Sequence, residues 1–181
     1  MTVYLIRHGK TVGNLTGRYI GTTDEPLCSQ GIAELQTRAY PAVQRVFVSP
    51  MKRCRETASL LYPGAKQTVV PDLRECDFGL FEGKNYAELN GRADYQAWID
   101  SGGELPFPEG ESRKTFAARC VAAFRQAMET VTEGDSAFVV HGGTIMAIME
   151  ACAKPPQNYF CWQVKCGEGF ALEADGSWRK L

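Results

Sequence analysis

Only two histidines occur in this sequence of 181 residues, and both lie in the same kind of motif. His8 follows an apolar run at residues 3–6 and precedes a glycine, and His141 follows an apolar run at residues 137–140 and precedes two glycines. An imidazole changes its protonation state near neutral pH, so it serves as a nucleophile, an acid–base group or a metal ligand. A histidine without a catalytic role could well stand in one such motif, but two such motifs in one chain are poorly explained in that way. The pair therefore indicates an active site.

The elements that precede the histidines predict where the two side chains lie. Short β-branched and aromatic runs that stop at glycine are typical of buried strands in a parallel sheet. Ligands of such sheets bind outside the carboxyl ends of the strands. We therefore expect His8 and His141 at one edge of the same sheet.

The rest of the chain alternates predicted strands with predicted helices. Further strands are predicted at residues 45–49 and 67–70, with weak strand signals at residues 169–178 around an Asp175-Gly176 turn. Predicted helices open at Ser29 as N-cap, with Ala39 on the buried face, and at Pro50 as first helical residue. A long amphipathic helix is predicted with Phe116, Cys120, Ala123, Phe124 and Met128 as its buried stripe, and a further helix covers residues 144–152. This order predicts an α/β fold: a three-layer sandwich with a mostly parallel central sheet, helices on both faces and a small cap insertion.

Length and composition favour one globular domain over residues 1–181, with residues 77–112 as the cap insertion. A formal net charge of −1 argues against a nucleic-acid partner, because binding to phosphate backbones needs excess lysine and arginine. No apolar stretch approaches the roughly 18 residues of a membrane helix, so no membrane partner is expected. The first residues enter a strand at once and leave no room for a signal peptide, which predicts a cytoplasmic protein. The sequence gives no indication of oligomeric state.

The seven cysteines are an odd number without CxxC spacing, as expected of reduced thiols. Cys161 and Cys166 resemble half of a metal site, but no second half follows. We therefore expect no metal and no cofactor. A nucleotide-binding P-loop at Gly9-Lys10-Thr11 is also excluded, because its first glycine is replaced by Tyr4 within the strand.

Four motifs along the chain resemble those of the histidine phosphatase superfamily, also called phosphoglycerate mutase-like. They span residues 3 to 143 and stand in the order of that family. The motifs are Arg7-His8-Gly9 with Thr11 and Asn14; the segment SPMKRCRET at residues 49–57; Leu73-Arg74-Glu75 followed by Gly79 and FEG at residues 81–83; and His141-Gly142. Four motifs in register are a far more specific signal than any one of them.

The resemblance implies a metal-independent hydrolysis of phosphate monoesters. His8 would be the nucleophile and form a phosphohistidine that water then cleaves, while Glu75 would protonate the leaving oxygen and later deprotonate the attacking water. Arg7 and Arg53 should lower the pKa of His8 and keep its imidazole neutral.

The resemblance also implies which groups hold the phosphate. The two guanidiniums would bind the equatorial oxygens together with peptide N–H groups such as that of Gly142, and with His141 if it is protonated. Asn14 fits as an amide donor to the phosphate, and Gly21 matches a glycine of the pocket wall.

Neighbouring residues compete for two of these roles. Lys52 and Arg55 flank Arg53, but only one face of a helix can point at the sheet edge. Glu82 and Asp77 compete with Glu75, and Glu82 is expected to make structural hydrogen bonds instead. Lys10 stands where the family commonly has an acidic residue. Because this position has no catalytic role, the difference is expected to affect substrate specificity alone.

The predicted cap indicates the kind of leaving group. Residues 77–112 carry eight acidic residues and two basic ones, a charge balance that disfavours a bisphosphorylated sugar as substrate. The same residues include six aromatics, which either suit a ring-bearing substrate or form the core of the cap.

The segments at residues 18–27, 77–83, 95–98 and 108–112 resemble α-ribazole phosphatases. These enzymes act on α-ribazole phosphate or a related cobalamin precursor. A broad-specificity sugar-phosphate phosphatase stays open as an alternative, as does a phosphoglycerate mutase, although mutases are longer.

Overall fold

The computed structural model describes all 181 residues and is built on one six-stranded sheet. The strands are β1 (Thr2–Arg7), β2 (Arg45–Val48), β3 (Gln67–Val69), β4 (Ser136–Val140), β5 (Gly169–Glu173) and β6 (Trp178–Lys180). Their spatial order is β3-β2-β4-β1-β5-β6. Strands β1 to β4 run parallel, whereas β5 pairs antiparallel with β1 and forms a hairpin with β6. The expected α/β class with a mostly parallel sheet is confirmed, and so is the weak hairpin signal at the carboxyl end.

Seven helices accompany the sheet. They are α1 (Val12–Leu15), α2 (Ser29–Gln36), α3 (Lys52–Leu61), α4 (Tyr86–Leu89), α5 (Ala93–Asp100), α6 (Arg113–Glu129) and α7 (Gly142–Cys152). Short 3-10 turns lie at Pro71–Leu73, Gly79–Phe81 and Tyr159–Trp162. No helix is long and apolar enough to cross a membrane.

Successive strand residues face opposite sides of the sheet and make two separate cores. On one side Leu5 and Phe138 pack with residues of α6 and α7, and Phe138 stacks on Phe47 with ring centroids 4.6 Å apart. On the other side Ile6 and Val139 pack against α3. Helices therefore cover both faces, which confirms the three-layer sandwich.

The segment 77–112, called the cap segment below, packs on α6 and α7 through a third apolar cluster. Its two ends are joined, because the backbone N–H of Glu111 donates to the Asp77 carbonyl at 2.9 Å. Gly79 makes this closure possible: its φ is 50°, and a Cβ there would lie 2.1 Å from the Pro108 carbonyl oxygen. Only glycine tolerates both conditions.

Four predicted helix limits were wrong. The N-cap of α2 is Cys28 rather than Ser29, and α2 ends at Gln36, so Ala39 lies outside the helix and is exposed. Pro50 precedes the N-cap Met51 and is not the first residue of α3. Helix α7 begins at Gly142, two residues earlier than expected, with His141 as its N-cap.

Candidate active site

The parallel pairing of β1 with β4 brings the two histidines together. The register aligns Arg7 with Val140, and the backbone N–H of His8 donates to the Val140 carbonyl at 2.9 Å. The imidazole centroids of His8 and His141 are 5.2 Å apart, with an angle of 68° between the rings. Both side chains thus lie at the carboxyl edge of the sheet, where the strand pattern placed them.

A backbone carbonyl sets the tautomer of His8. The ring Nδ1 lies 2.7 Å from the Gly9 carbonyl oxygen. Because a carbonyl only accepts, Nδ1 must carry the proton, and Nε2 keeps its lone pair. Burial, Arg53 and Arg7 lower the pKa of His8 well below its ordinary value. The ring is therefore neutral at neutral pH, with an unprotonated Nε2.

Arg53 is the basic residue of α3 that faces the sheet edge. It is fully buried, whereas Lys52 and Arg55 are exposed, so the structure separates it from its two rivals. Its Nη1 donates to the Thr23 carbonyl at 2.8 Å and its Nη2 to the Gly21 carbonyl at 3.0 Å. These bonds fix the guanidinium against the loop that follows α1.

Arg7 brings a second guanidinium to the same edge. Its Nη1 donates to the Val164 carbonyl at 2.7 Å, while its buried Nε has no hydrogen-bond partner. The guanidinium also lies against Gly142, where an added Cβ would be 3.3 Å from the arginine Cζ. An unpaired buried donor beside the first turn of a helix is available to bind an anion.

His141 is neutral in this environment. Its Nδ1 lies 3.3 Å from Nε of Arg53, which can only donate, and its Nε2 lies 2.7 Å from Oγ of Ser49. Burial and the charge of Arg53 lower the pKa of His141 well below its ordinary value. The protonated form considered from the sequence is therefore disfavoured in the protein without a bound anion.

Glu75 lies against the amino terminus of α7. Its Oε2 accepts from the N–H of Gly143 at 3.4 Å, and its Oε1 accepts from the N–H of Cys76 at 3.0 Å. Burial raises the pKa of Glu75 above its ordinary value, and the hydrogen bonds and nearby arginines only partly oppose this. A raised pKa keeps more of the carboxyl group in the acid form that can give up a proton.

The two rival carboxylates have structural partners. Oε1 of Glu82 accepts from the backbone N–H groups of Gly21 and Thr23, at 2.8 and 2.9 Å. Oδ1 of Asp77 accepts from the N–H of Gly79 at 2.9 Å. The structural hydrogen bonds expected of Glu82 are therefore present.

Asn14 lies in α1, and Gly21 lies in the loop that follows this helix. Oδ1 of Asn14 caps α1 by accepting from the backbone and side chain of Thr11, each at 3.1 Å, which leaves its amide N–H groups free to donate. Gly21 has no room for a side chain, since a Cβ would lie 1.9 Å from the Cys76 carbonyl oxygen. Gly21 thus packs closely against the backbone of Cys76, and this contact holds in place the loop whose carbonyls bond Arg53.

A cavity of about 420 Å³ opens beside these groups. Arg7, Glu75 and Gly142 are among its lining residues, whereas the buried side chains of His8, Arg53 and His141 are not, and His8 is 3% exposed. The rest of the lining is mostly apolar and aromatic: Tyr19, Cys76, Phe78, Trp98, Gly103, Phe107, Arg113, Phe116, Gly143, Met146, Tyr159, Phe160, Gln163 and Val164.

Several lining residues were missed in the sequence. Tyr159, Phe160 and Gln163 come from the turn after α7, a stretch without strand or helix periodicity, so no pattern predicted their position. Arg113 stands one residue beyond the predicted cap and lies over the Tyr159 ring at 5.4 Å from its centroid. Its guanidinium, which is paired with the carboxylate of Glu104, adds a cation to a wall that the sequence suggested was acidic.

Several known proteins are similar to this chain in sequence or in fold. The chain is 27% identical to the adenosylcobalamin/alpha-ribazole phosphatase of Salmonella typhimurium, covering 99% of both chains. It is 33% identical to the 2,3-bisphosphoglycerate-dependent phosphoglycerate mutase 2 of Gloeobacter violaceus, over 80% of this chain and 72% of the mutase. The crystal structure of the alpha-ribazole phosphatase from Shigella flexneri has the same fold, with a TM-score of 0.85 at 24% identity over 96% of this chain and 90% of that one. Residues 3–176 match the histidine phosphatase superfamily (branch 1), and the chain belongs to that superfamily.

Proposed function

We propose that this protein hydrolyses phosphate monoesters through a phosphohistidine at His8. The observation that carries the proposal is the 2.7 Å contact between Nδ1 of His8 and the Gly9 carbonyl, which leaves the lone pair on Nε2. In the reaction Nε2 forms a bond to phosphorus while the bond from phosphorus to the ester oxygen breaks. Water then attacks the phosphohistidine and releases inorganic phosphate.

The charge that the phosphoryl group needs comes from the protein. Arg7 and Arg53 would bind its equatorial oxygens, with the N–H of Gly142 at the start of α7 as a further donor. The amide of Asn14 would add a donor, and His141 would add another once the bound anion raises its pKa and the ring takes up a proton. These groups occupy the place that a metal ion holds in many other phosphoryl-transfer enzymes.

Glu75 would act as the acid and then as the base. It lines the cavity that receives the leaving group, and burial raises its pKa. In the first step its carboxyl proton moves to the departing ester oxygen. In the second step the resulting carboxylate accepts a proton from the attacking water.

The substrate proposed is α-ribazole phosphate or a related cobalamin precursor. Support comes from the 27% identity with the Salmonella typhimurium phosphatase over the whole chain and from the aromatic wall of the cavity. Phe78, Trp98 and Phe107 of the cap segment supply that wall, and a flat heterocycle stacks well on such side chains. In this proposal the cap segment is an insertion within one domain, placed over the leaving group.

Two other activities are compatible with membership of this superfamily. A broad-specificity sugar-phosphate phosphatase would share the catalytic groups and make no use of the aromatic wall. A phosphoglycerate mutase is favoured by the 33% identity with the Gloeobacter violaceus enzyme, although this chain covers only 72% of that enzyme's length.

Trapping the covalent intermediate tests the proposal. Quenching without acid, in the first turnover of a ³²P-labelled substrate, should give a label on the protein that is labile to acid and stable to base, as a phosphoramidate is. His8→Ala should remove this label, whereas His141→Ala should keep slow labelling. A label on a cysteine, or no label within a single turnover, would refute the mechanism.

A further inference from the structure

The hydroxyl of Thr57 connects the helix that carries Arg53 with the loop that carries His8. Thr57 is fully buried in α3, and its Oγ1 lies 2.6 Å from the carbonyl oxygen of Arg53. The same Oγ1 lies 3.0 Å from the backbone nitrogen of Gly9. One side chain thus touches both segments of the candidate active site.

The directions of these two hydrogen bonds are fixed by their partners. The Arg53 carbonyl only accepts, so the hydroxyl proton of Thr57 must point at it. The Gly9 N–H only donates, so it must point at the remaining lone pair of Oγ1. A valine at this position would have nearly the same shape but would make neither bond.

The position of Gly9 in turn determines the orientation of the nucleophile. The Gly9 carbonyl accepts from Nδ1 of His8 at 2.7 Å. Glycine has little backbone preference of its own, so external contacts must hold its peptide groups in place. The N–H of Gly9 has Thr57 as its hydrogen-bond partner.

We propose that Thr57 is a positioning residue for the nucleophile: its hydroxyl anchors Gly9, and Gly9 keeps His8 in the Nδ1–H tautomer with Nε2 free to attack. The proposal rests on the proposed function where it concerns catalysis, but the effect on the tautomer of His8 does not depend on any substrate.

The test compares Thr57→Val with Thr57→Ser, and uses Thr144→Val as a matched control. Thr144 is also a fully buried threonine, and its hydroxyl contacts only the sulfur of Cys120, at 3.9 Å. The tautomer of His8 is read from the ¹⁵N chemical shifts of the ring, which are simple to assign because the chain has two histidines. The rate of phosphohistidine formation from p-nitrophenyl phosphate is measured on the same proteins by rapid quench.

In the wild type, and in the Thr57→Ser and Thr144→Val variants, His8 should be neutral with its proton on Nδ1. Thr57→Val should show a mixture of Nδ1–H and Nε2–H forms and should slow phosphorylation at least about tenfold, since small displacements of a reacting group cost that much. If Thr57 had a purely structural role, Thr57→Val would lower the melting temperature, as Thr144→Val would, and would leave the tautomer of His8 unchanged.

If Thr57→Val does not fold, Thr57→Cys replaces it, because a thiol is a weak donor and a weak acceptor and should act in the same direction. A pure Nδ1–H tautomer in the folded Val or Cys variant, with phosphorylation within about twofold of wild type, overturns the proposal. If the tautomer becomes mixed but even the wild type forms no phosphohistidine, the positioning of His8 by Thr57 stands and the proposed function fails.

Discussion

Nε of Arg53 lies 3.3 Å from Nδ1 of His141, so a permanent cation donates a hydrogen bond to a ring nitrogen that would otherwise be protonated near neutral pH. Both side chains are fully buried. His8 lies in the same electrostatic environment, and for both histidines burial followed by Arg53 are the leading causes of a lowered pKa. The site therefore holds two neutral imidazoles beside two guanidiniums.

Stability should consequently fall in mild acid. An unfolded histidine binds its proton as pH drops through about 6.5, whereas the folded protein with its lowered pKa does not. The unfolded state then binds more protons, so each histidine should remove up to about 1.4 kcal/mol of unfolding free energy per pH unit below that value.

Urea unfolding of wild type and His141→Asn between pH 5 and 7.5 measures this effect. The variant should show a shallower loss of stability toward low pH, by about the contribution of one proton. The raised pKa of Glu75 acts in the opposite direction but is common to both proteins, so it cancels in the comparison. Parallel curves for the two proteins would show that His141 titrates normally in the folded state.

Catalysis should not require a metal ion, because the guanidiniums of Arg7 and Arg53 supply positive charge at the site. Hydrolysis of p-nitrophenyl phosphate should be unchanged after treatment with EDTA, and His8→Ala should abolish it. Colorimetric assays before and after chelation give the measurement. Activity that disappears with EDTA and returns with Mg²⁺ would contradict the proposed role of the arginines.

The positions of the two histidines were predictable because each follows a strand whose apolar run ends at glycine. The motif likewise predicted that Arg53, rather than Lys52 or Arg55, faces the sheet edge, and the structure shows Arg53 buried and its two neighbours on the exposed side of α3. Local sequence patterns suffice where a residue's position follows from the end of one strand or the face of one helix.

The start of α7 was harder to predict. Gly142 and Gly143 have low helix propensity, so the pattern suggested a later start. Tertiary contacts decide otherwise: Gly142 packs on Arg7, and the N–H of Gly143 donates to Glu75. The cavity wall at Tyr159 and Phe160 depends in the same way on contacts between segments distant in sequence, which periodicity does not encode.

Glu75 should matter most for poor leaving groups. An alkoxide needs a proton in order to leave, whereas p-nitrophenolate hardly does. Glu75→Gln should therefore slow the phosphorylation step for an alkyl phosphate by at least about tenfold more than for p-nitrophenyl phosphate, measured by rapid quench.

Glu82→Gln is the comparison variant for this experiment. Glu82 holds the backbone of Gly21 and Thr23, so its replacement should affect both substrates equally through the loop bonded to Arg53. If Glu75→Gln slowed phosphorylation equally with both substrates, and Glu82→Gln slowed it selectively with the alkyl phosphate, Glu82 rather than Glu75 would be the acid.

The aromatic wall should give a preference for ring-bearing esters. α-Ribazole phosphate should exceed small sugar phosphates and 3-phosphoglycerate in kcat/KM by at least about tenfold, or about 1.4 kcal/mol, which one aromatic contact can supply. Trp98→Ala should reduce this preference and leave p-nitrophenyl phosphate turnover largely intact.

Tyr86→Ala is the matched control, because Tyr86 is a cap-segment aromatic that is 71% exposed and does not line the cavity. Tyr95, another aromatic residue of the cap segment, packs beside Trp98 with ring centroids 6.4 Å apart and is not part of the lining. Equal kcat/KM values across the panel would favour the broad phosphatase. Phosphate exchange between the positions of phosphoglycerate, with little hydrolysis, would identify a mutase instead.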